Sequence, residues 1–405
     1  MYQERAMKRK IAAIDIGTTK VCTIMGTLDS TAGLRVLGVG ITPSHGIEKA
    51  LVANVNQAKE SIRQSIRKAE MMAGYRLDSA YIGVTGKHIN SMNNRGTIAI
   101  TKSNQLVRSD DLKRVLDVAL NIKSPSDRKM LHVIPRAYTL DGQEVKNPVG
   151  MHGYELNVEA HVITAQVASV QNLTQCVRGV GIDIDDLILE PLASAEAVLS
   201  EEEKQAGVLI ADIGGGTTDI AVLKEGSIYH TSVLPVAGHQ VTRDIAAGLG
   251  LSFELAEELK KKYGSLVPTS EADNDTIVGE NGHSVSYRDL CDIMHARVEE
   301  MMRLVVLELP RNDYARLIPA GIVITGGGAN IPGIVELTQS ITRLPTRIGI
   351  PPTLNGVSNS MLNDPAYATS VGLVLWKMKN DSAQKWVTKP SGIRGIFSSL
   401  FRLFR

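Results

Sequence analysis

The chain has 405 residues, 43% of them apolar and 4% aromatic, enough to bury a large core and to divide into two or more domains. Lys and Arg number 44 against 43 Asp and Glu, so bulk charge attracts neither nucleic acid nor a strongly charged substrate. Cys22, Cys176 and Cys291 stand too far apart for a disulfide framework or a paired-cysteine metal site, which fits a reducing cytoplasm, and no apolar run reaches membrane-spanning length.

Residues 10–16 predict a strand, Gly17, Thr18 and Thr19 a polar tip, and 21–25 a returning strand. After a third strand at 34–41, Asn54 caps a helix with Val55, Ala58, Ile62, Ile66, Ala69 and Ala73 on one face, closed by Gly74. From Gly86 to Ile163 the pattern changes. A strand at 96–101, a helix at 109–121 capped by Ser109 with Leu112, Val115, Leu116 and Ala119 inward, and strands at 130–140 and 156–163 predict an inserted α+β module, 87–163.

The opening order then returns. Residues 207–223 again form strand, glycine-rich turn and strand, with Asp212 matching Asp15, followed by a strand at 228–236 and a helix capped near Ser252. A duplication follows: one α/β domain from 1–86 and 164–204, a second from 205–236 and 320–378, the last part returning to the first domain, with a smaller subdomain at 237–319 between. Residues 366–378 predict a helix, 379–391 a flexible linker and 392–405 a separate terminal helix.

The two turns carry the chemistry. Gly17, Thr18, Thr19 and Lys20 offer an unobstructed N–H, two hydroxyls and a cation, and Gly214, Gly215, Gly216 and Thr217 offer much the same, a supply that suits one phosphate chain clamped from both sides. Asp15 and Asp212 would face those phosphates, which implies Mg2+ between them, held through water. A third cluster, Gly326, Gly327, Gly328 and Ala329, follows a strand and precedes a helix beginning near Pro332. It is no dinucleotide fingerprint, because Ile331 takes the last glycine position, and the chain has no P-loop.

Five stretches, 15–22, 190–199, 212–222, 321–333 and 368–373, resemble the phosphate, connecting and adenosine motifs of the actin, sugar-kinase and heat-shock-chaperone ATPase superfamily. The resemblance implies duplicated ribonuclease-H-like domains around an ATP cleft. Gly326 to Ala329 would then meet the adenosine, Glu257, Lys260 and Lys261 would flank it, and Glu190 would orient the attacking water. Within the superfamily, Thr85-Gly-Lys-His88, the inserted module with its 131–135 and 146–150 segments, and the terminal helix resemble the FtsA family of actin-like bacterial cell-division proteins. That resemblance implies a peripheral protein of the cytoplasmic face of the cell membrane at the division site. It would polymerise, tether the tubulin-like FtsZ through the latter's C-terminal peptide, work with other division proteins in septum assembly, and hydrolyse ATP slowly at most. A pilus-assembly relative or a sugar kinase of the same fold remains the alternative.

At about 100° per residue, Ile393, Ile396, Phe397, Leu400, Phe401, Leu403 and Phe404 fall within an arc of about 160°, with Arg394, Arg402 and Arg405 around it. This pattern predicts an interfacial helix on an anionic lipid surface, reversible as a single copy. The resemblance points to the smaller subdomain for the FtsZ peptide, where Arg288, Arg297 and Arg303 either pair with an acidic, extended peptide or are merely solvated.

Overall fold

The computed structural model describes residues 9–29, 33–101, 104–121, 126–267, 276–278, 284–309, 314–356 and 361–387; the predicted terminal helix lies outside them. Strands β1 (Arg9–Ile16) and β2 (Lys20–Asp29) form a hairpin in which Asp15 faces Cys22 and Ile16 faces Val21. Ile11 to Ile16 are all buried, as a strand covered on both faces requires. After β3 (Gly33–Pro43) and the small hairpin β4 (Ile47–Glu48) and β5 (Leu51–Val52), helix α1 (Val55–Ala73) begins where the Asn54 side chain accepts the N–H groups of Asn56 and Gln57. It ends at Gly74, whose φ of 76° suits a residue without a Cβ. Strand β6 (Ser79–Val84) follows.

The inserted module contains β7 (Ile89–Ala99), α2 (Ser109–Leu120), β8 (Arg128–Leu140), β9 (Gln143–Val145) and β10 (Glu155–Gln166), in sheet order β7-β10-β8-β9, with its own core of Ile98, Val115, Leu140, Leu156 and Val158. Two expectations change here. Strand β7 begins at Ile89 rather than Gly96, because its polar start is paired with β10. Ser109 is the first helical residue, not the cap; Arg108 occupies that position and its N–H donates to the Asp111 carboxylate at 2.9 Å.

The first domain resumes with α3 (Val167–Arg178), β11 (Asp183–Leu189), α4 (Glu190–Val198) and α5 (Glu201–Ala206). The second opens with β12 (Val208–Ile213), β13 (Thr218–Lys224) and β14 (Ser227–Leu234). The smaller subdomain follows as α6 (Gly238–Leu249), α7 (Phe253–Tyr263), β15 (Thr276–Val278), β16 (Ser284–Ser286), α8 (Tyr287–Leu307) and α9 (Tyr314–Leu317). Strand β17 (Ile322–Thr325), a 3-10 turn at Gly327–Asn330, α10 (Ile334–Thr342) and β18 (Thr346–Ile348) return to the second sheet. The short β19 (Asn355–Gly356) crosses back to β3, and α11 (Ala368–Val387) runs through much of the stretch expected as linker.

The duplication is visible in strand order. The first sheet runs β11-β6-β1-β2-β3-β19 and the second β18-β17-β12-β13-β14, so each strand of the second has a counterpart in the first. The turns match bond for bond: Gly17 N–H donates to Lys20 O at 3.0 Å and Gly214 N–H to Thr217 O at 2.9 Å. Lys20 is therefore equivalent to Thr217, and Cys22 to Asp219. Between the sheets α4 and α11 cross so closely that a Cβ on Gly372 would stand 1.9 Å from the Ala193 carbonyl oxygen.

Candidate nucleotide cleft

The hairpin turns of the two domains meet tip to tip. A Cβ on Gly216 would lie 2.4 Å from Thr18 Oγ1, and one on Gly215 would lie 2.0 Å from Thr19 Oγ1, so only bare backbone fits there. Thr18 Oγ1 also accepts the Ala50 N–H at 3.1 Å, which fixes the first turn from behind. The two glycines thus serve a closer purpose than turn-making: they admit the opposite domain.

Behind the tips lie four carboxyl groups, Asp15, Glu190, Asp212 and Asp219, all buried. Asp15 Oδ2 accepts from Ser370 Oγ at 2.6 Å. Asp212 Oδ2 accepts from Ser194 Oγ at 2.5 Å and Thr369 Oγ1 at 2.8 Å. Asp219 accepts from Thr85, at the junction with the inserted module, and from Thr217 at 3.2 Å. Glu190 opens α4 and packs against Gly83, while the Leu189 N–H before it donates to Nε2 of His132 in the inserted module at 3.0 Å.

Burial pushes all four acids above the usual carboxylate range, and repulsion from neighbouring carboxylates adds to it at Asp15, Glu190 and Asp219. Asp219 is raised to about 8 and Glu190 well above its ordinary value. Lys20 pulls Asp15, Glu190 and Asp212 back down. Its Nζ donates to the Ala366 carbonyl at 2.5 Å and lies 4.9 Å from the Tyr367 ring centroid. Several buried acids around one lysine form a donor set suited to a divalent cation. Among the described residues no three His, Cys, Asp or Glu side chains could hold a metal ion by themselves. A hard cation sharing its shell with phosphate and water needs only one or two carboxylates, so the set fits Mg2+ in that manner.

The third glycine cluster adjoins the acids. Gly326 N–H donates to Pro365 O at 3.1 Å, and a Cβ on Gly326 would stand 2.2 Å from Asp212 Oδ1. Gly327, Gly328 and Ala329 continue into the 3-10 turn, whose Asn330 donates to Asp364 at 3.1 Å, and the helix expected near Pro332 begins at Ile334. On α7, Lys260 Nζ reaches Glu257 Oε2 at 2.6 Å, Thr242 Oγ1 at 2.8 Å and Gly238 O at 3.2 Å, while Lys261 pairs with Glu257 at 3.0 Å. Burial opposes ionisation of Glu257, but Lys260 outweighs it and the carboxyl stays below its ordinary range. Gly238 N–H in turn donates to Gly214 O at 3.0 Å, so α7 is tied to the second turn.

The three arginines on α8 differ. Arg297 is held by Asp244 on α6 and by Glu300, Arg303 pairs with Glu299 at 2.6 Å, and Arg288 lies 3.8 Å from Asp292. Arg288 and Arg303 are the exposed pair, while Arg297 is partly buried as a brace between helices.

Sequence reasoning did not assign Asp219, Ser194, Thr369, Ser370 or Thr85 to the site. Asp219 had a signal, since it faces Asp212 in the hairpin register. The hydroxyls of Ser194, Thr369, Ser370 and Thr85 lie in stretches that resemble family motifs, but nothing local shows which aspartate each reaches.

The family described as Cell division protein FtsA matches residues 209–372, and that described as SHS2 domain inserted in FTSA matches 86–164. The cell division protein FtsA of Pseudomonas aeruginosa is 41% identical over 380 residues, covering 92% of this chain and 90% of that protein. This chain belongs to the FtsA family. It is accordingly an actin-like cell-division protein, and the inserted α+β module is the one FtsA proteins carry. Solved structures agree on the fold. The PilM–PilN type IV pilus biogenesis complex is 16% identical with a TM-score of 0.63, covering 90% of this chain and 98% of that one. MreB 5 of Spiroplasma citri bound to AMPPNP is 17% identical with a TM-score of 0.55, covering 94% and 98%. At such identities the likeness is one of fold, and it gives the pilus-assembly alternative no better support than FtsA. Among the described residues no helix is long and apolar enough to cross a membrane.

Proposed function

We propose that this FtsA-family chain binds ATP with Mg2+ between its two turns and, so loaded, assembles on the cytoplasmic face of the cell membrane and tethers FtsZ there. The observation that carries this reading is the buried pair Asp15 and Asp212, each held by helix hydroxyls directly behind two opposed phosphate-type turns. Backbone N–H groups and hydroxyls of residues 17–20 and 214–217 bind the phosphate chain from both domains. Asp15 and Asp212 reach Mg2+ through water, and the cation neutralises phosphate charge. Gly326 to Ala329, Glu257, Lys260 and Lys261 hold the adenosine. Glu190, whose carboxyl is raised well above the usual range by burial and by the neighbouring aspartates, orients the attacking water.

The terminal residues Ile393 to Arg405 supply the lipid contact. One copy binds reversibly, whereas a filament presents many copies at high effective concentration, so assembly and membrane binding reinforce each other. Arg288 and Arg303 suit an acidic FtsZ peptide because both are exposed, and other division proteins would join the same assembly. Co-sedimentation with anionic liposomes tests this reading. The full chain with MgATP pellets with the vesicles and brings FtsZ with it, and a chain ending before Ile393 does neither; vesicle binding by the shortened chain would refute the anchor.

A further inference from the structure

His239 stands where three parts of the cleft meet. Its own N–H donates to Gly215 O of the second turn at 2.8 Å, and its Nε2 lies 3.5 Å from Thr19 Oγ1 of the first. A Cβ on Gly215 would come within 3.2 Å of Nε2, which places the ring edge beside the tip glycine. On its other side the imidazole meets the Phe253 ring of α7 edge to face, centroids 5.4 Å apart and planes at 88°. The contact with Thr19 is at the long limit of a hydrogen bond, so Nε2 remains open to a stronger acceptor.

We propose that His239 is a further ligand of the phosphate chain, donating from Nε2 to a phosphate oxygen of a nucleoside polyphosphate held between the two turns. The inference rests on the nucleotide reading of this cleft. The charged groups facing the ring are Arg243 on its own helix and Glu257, Lys260 and Lys261 on α7. Burial holds the ring below its ordinary value, Lys260, Arg243 and Lys261 push the same way, and Glu257 opposes them. In the free protein the imidazole is therefore neutral at pH 7. A phosphate oxygen at Nε2 favours the imidazolium, because a charge-assisted bond is stronger than a neutral one. Nucleotide binding consequently draws in a proton. The bound state has the higher pKa, so the added affinity is complete at low pH and is lost as pH rises through the bound value.

Calorimetric titration of the full chain with Mg-AMPPNP, in buffers of different ionisation enthalpy, reads this directly. The wild type takes up part of a proton, and its affinity falls by about tenfold in all between about pH 6 and 8. His239→Asn binds about tenfold more weakly at the acid end, takes up less, and converges with the wild type at the alkaline end. His152→Asn, in the inserted module, keeps the wild-type slope. Equal proton uptake and slope in His239→Asn would overturn the assignment while leaving the nucleotide site standing. Absence of proton uptake by the wild type would overturn it without recourse to any variant, and failure of the wild type to bind would remove the nucleotide reading as well.

Discussion

Gly215 on the second turn lies against Thr19 on the first so closely that a Cβ there would stand 2.0 Å from the threonine hydroxyl. The two domains therefore touch at the place where a phosphate chain would enter. Gly215→Ala should push the tips apart and misalign both sets of donors. Nucleotide affinity should drop at least about tenfold, roughly 1.4 kcal/mol, with the fold intact by circular dichroism. Adding Thr19→Ala relieves the contact and should recover part of the loss, which fluorescence titration with a labelled nucleotide would measure.

Ser370 and Thr369 separate cation binding from nucleotide binding. Ser370→Ala leaves Asp15 Oδ2 without its hydroxyl donor, whereas Thr369→Val leaves Asp212 with Ser194 still in place. An unsatisfied buried acceptor costs about 1–3 kcal/mol. Affinity for ATP in Mg2+ should fall about tenfold in Ser370→Ala and less in Thr369→Val. Affinity in EDTA should change little in either, and an equal loss with and without metal would show that the hydroxyls merely support the fold.

Gly372 tests the helix crossing. In a helix Ala is favoured over Gly by about 1 kcal/mol, but here its methyl would meet the Ala193 carbonyl at 1.9 Å, a backbone atom that cannot swing away. Overpacking of this kind costs about 1–3 kcal/mol. Gly372→Ala should therefore destabilise in urea unfolding, and Gly372→Val more so.

Acid sensitivity follows from three histidines, His88 and His161 buried and His132 half-buried. His88, His132 and His161 are each held down to about 4 by burial, below the ordinary 6.5. A lowered folded-state pKa contributes stability present above the unfolded value and lost as pH falls through the folded one. The urea midpoint should decline from about pH 6.5 toward pH 4. His161→Gln keeps a side chain able to bond Asn93 and Thr231 but cannot titrate, and it should shallow that decline.

Local signals account for much of what the sequence revealed. Asn54 and Gly74 bound α1, and the repeated aspartate–glycine turns disclosed the duplication, because caps and turns are decided by residues adjacent in the chain. The polar start of β7 was missed because its alternation serves a neighbour: Ser91 donates to Thr231 O at 2.8 Å and Asn93 to Tyr229 O at 3.2 Å, both on β14. Within the cleft, Asp15, Lys20 and Asp212 were legible from their turns. Ser194, Thr369 and Ser370 lay within the connecting motifs at 190–199 and 368–373, but their aspartate partners were not legible, since those are fixed only where the helices cross.

Thr369 and Ser370 are consecutive residues, yet they bond aspartates of opposite domains. The first turn of α11 is thus an axle on which both halves of the molecule are mounted. Any scissoring of the halves about it leaves Asp15 and Asp212 near the axis, where displacement is smallest. A relative movement of the halves about this turn would change the contact between Thr19 and Gly215 while the two aspartates stay bonded to one helix.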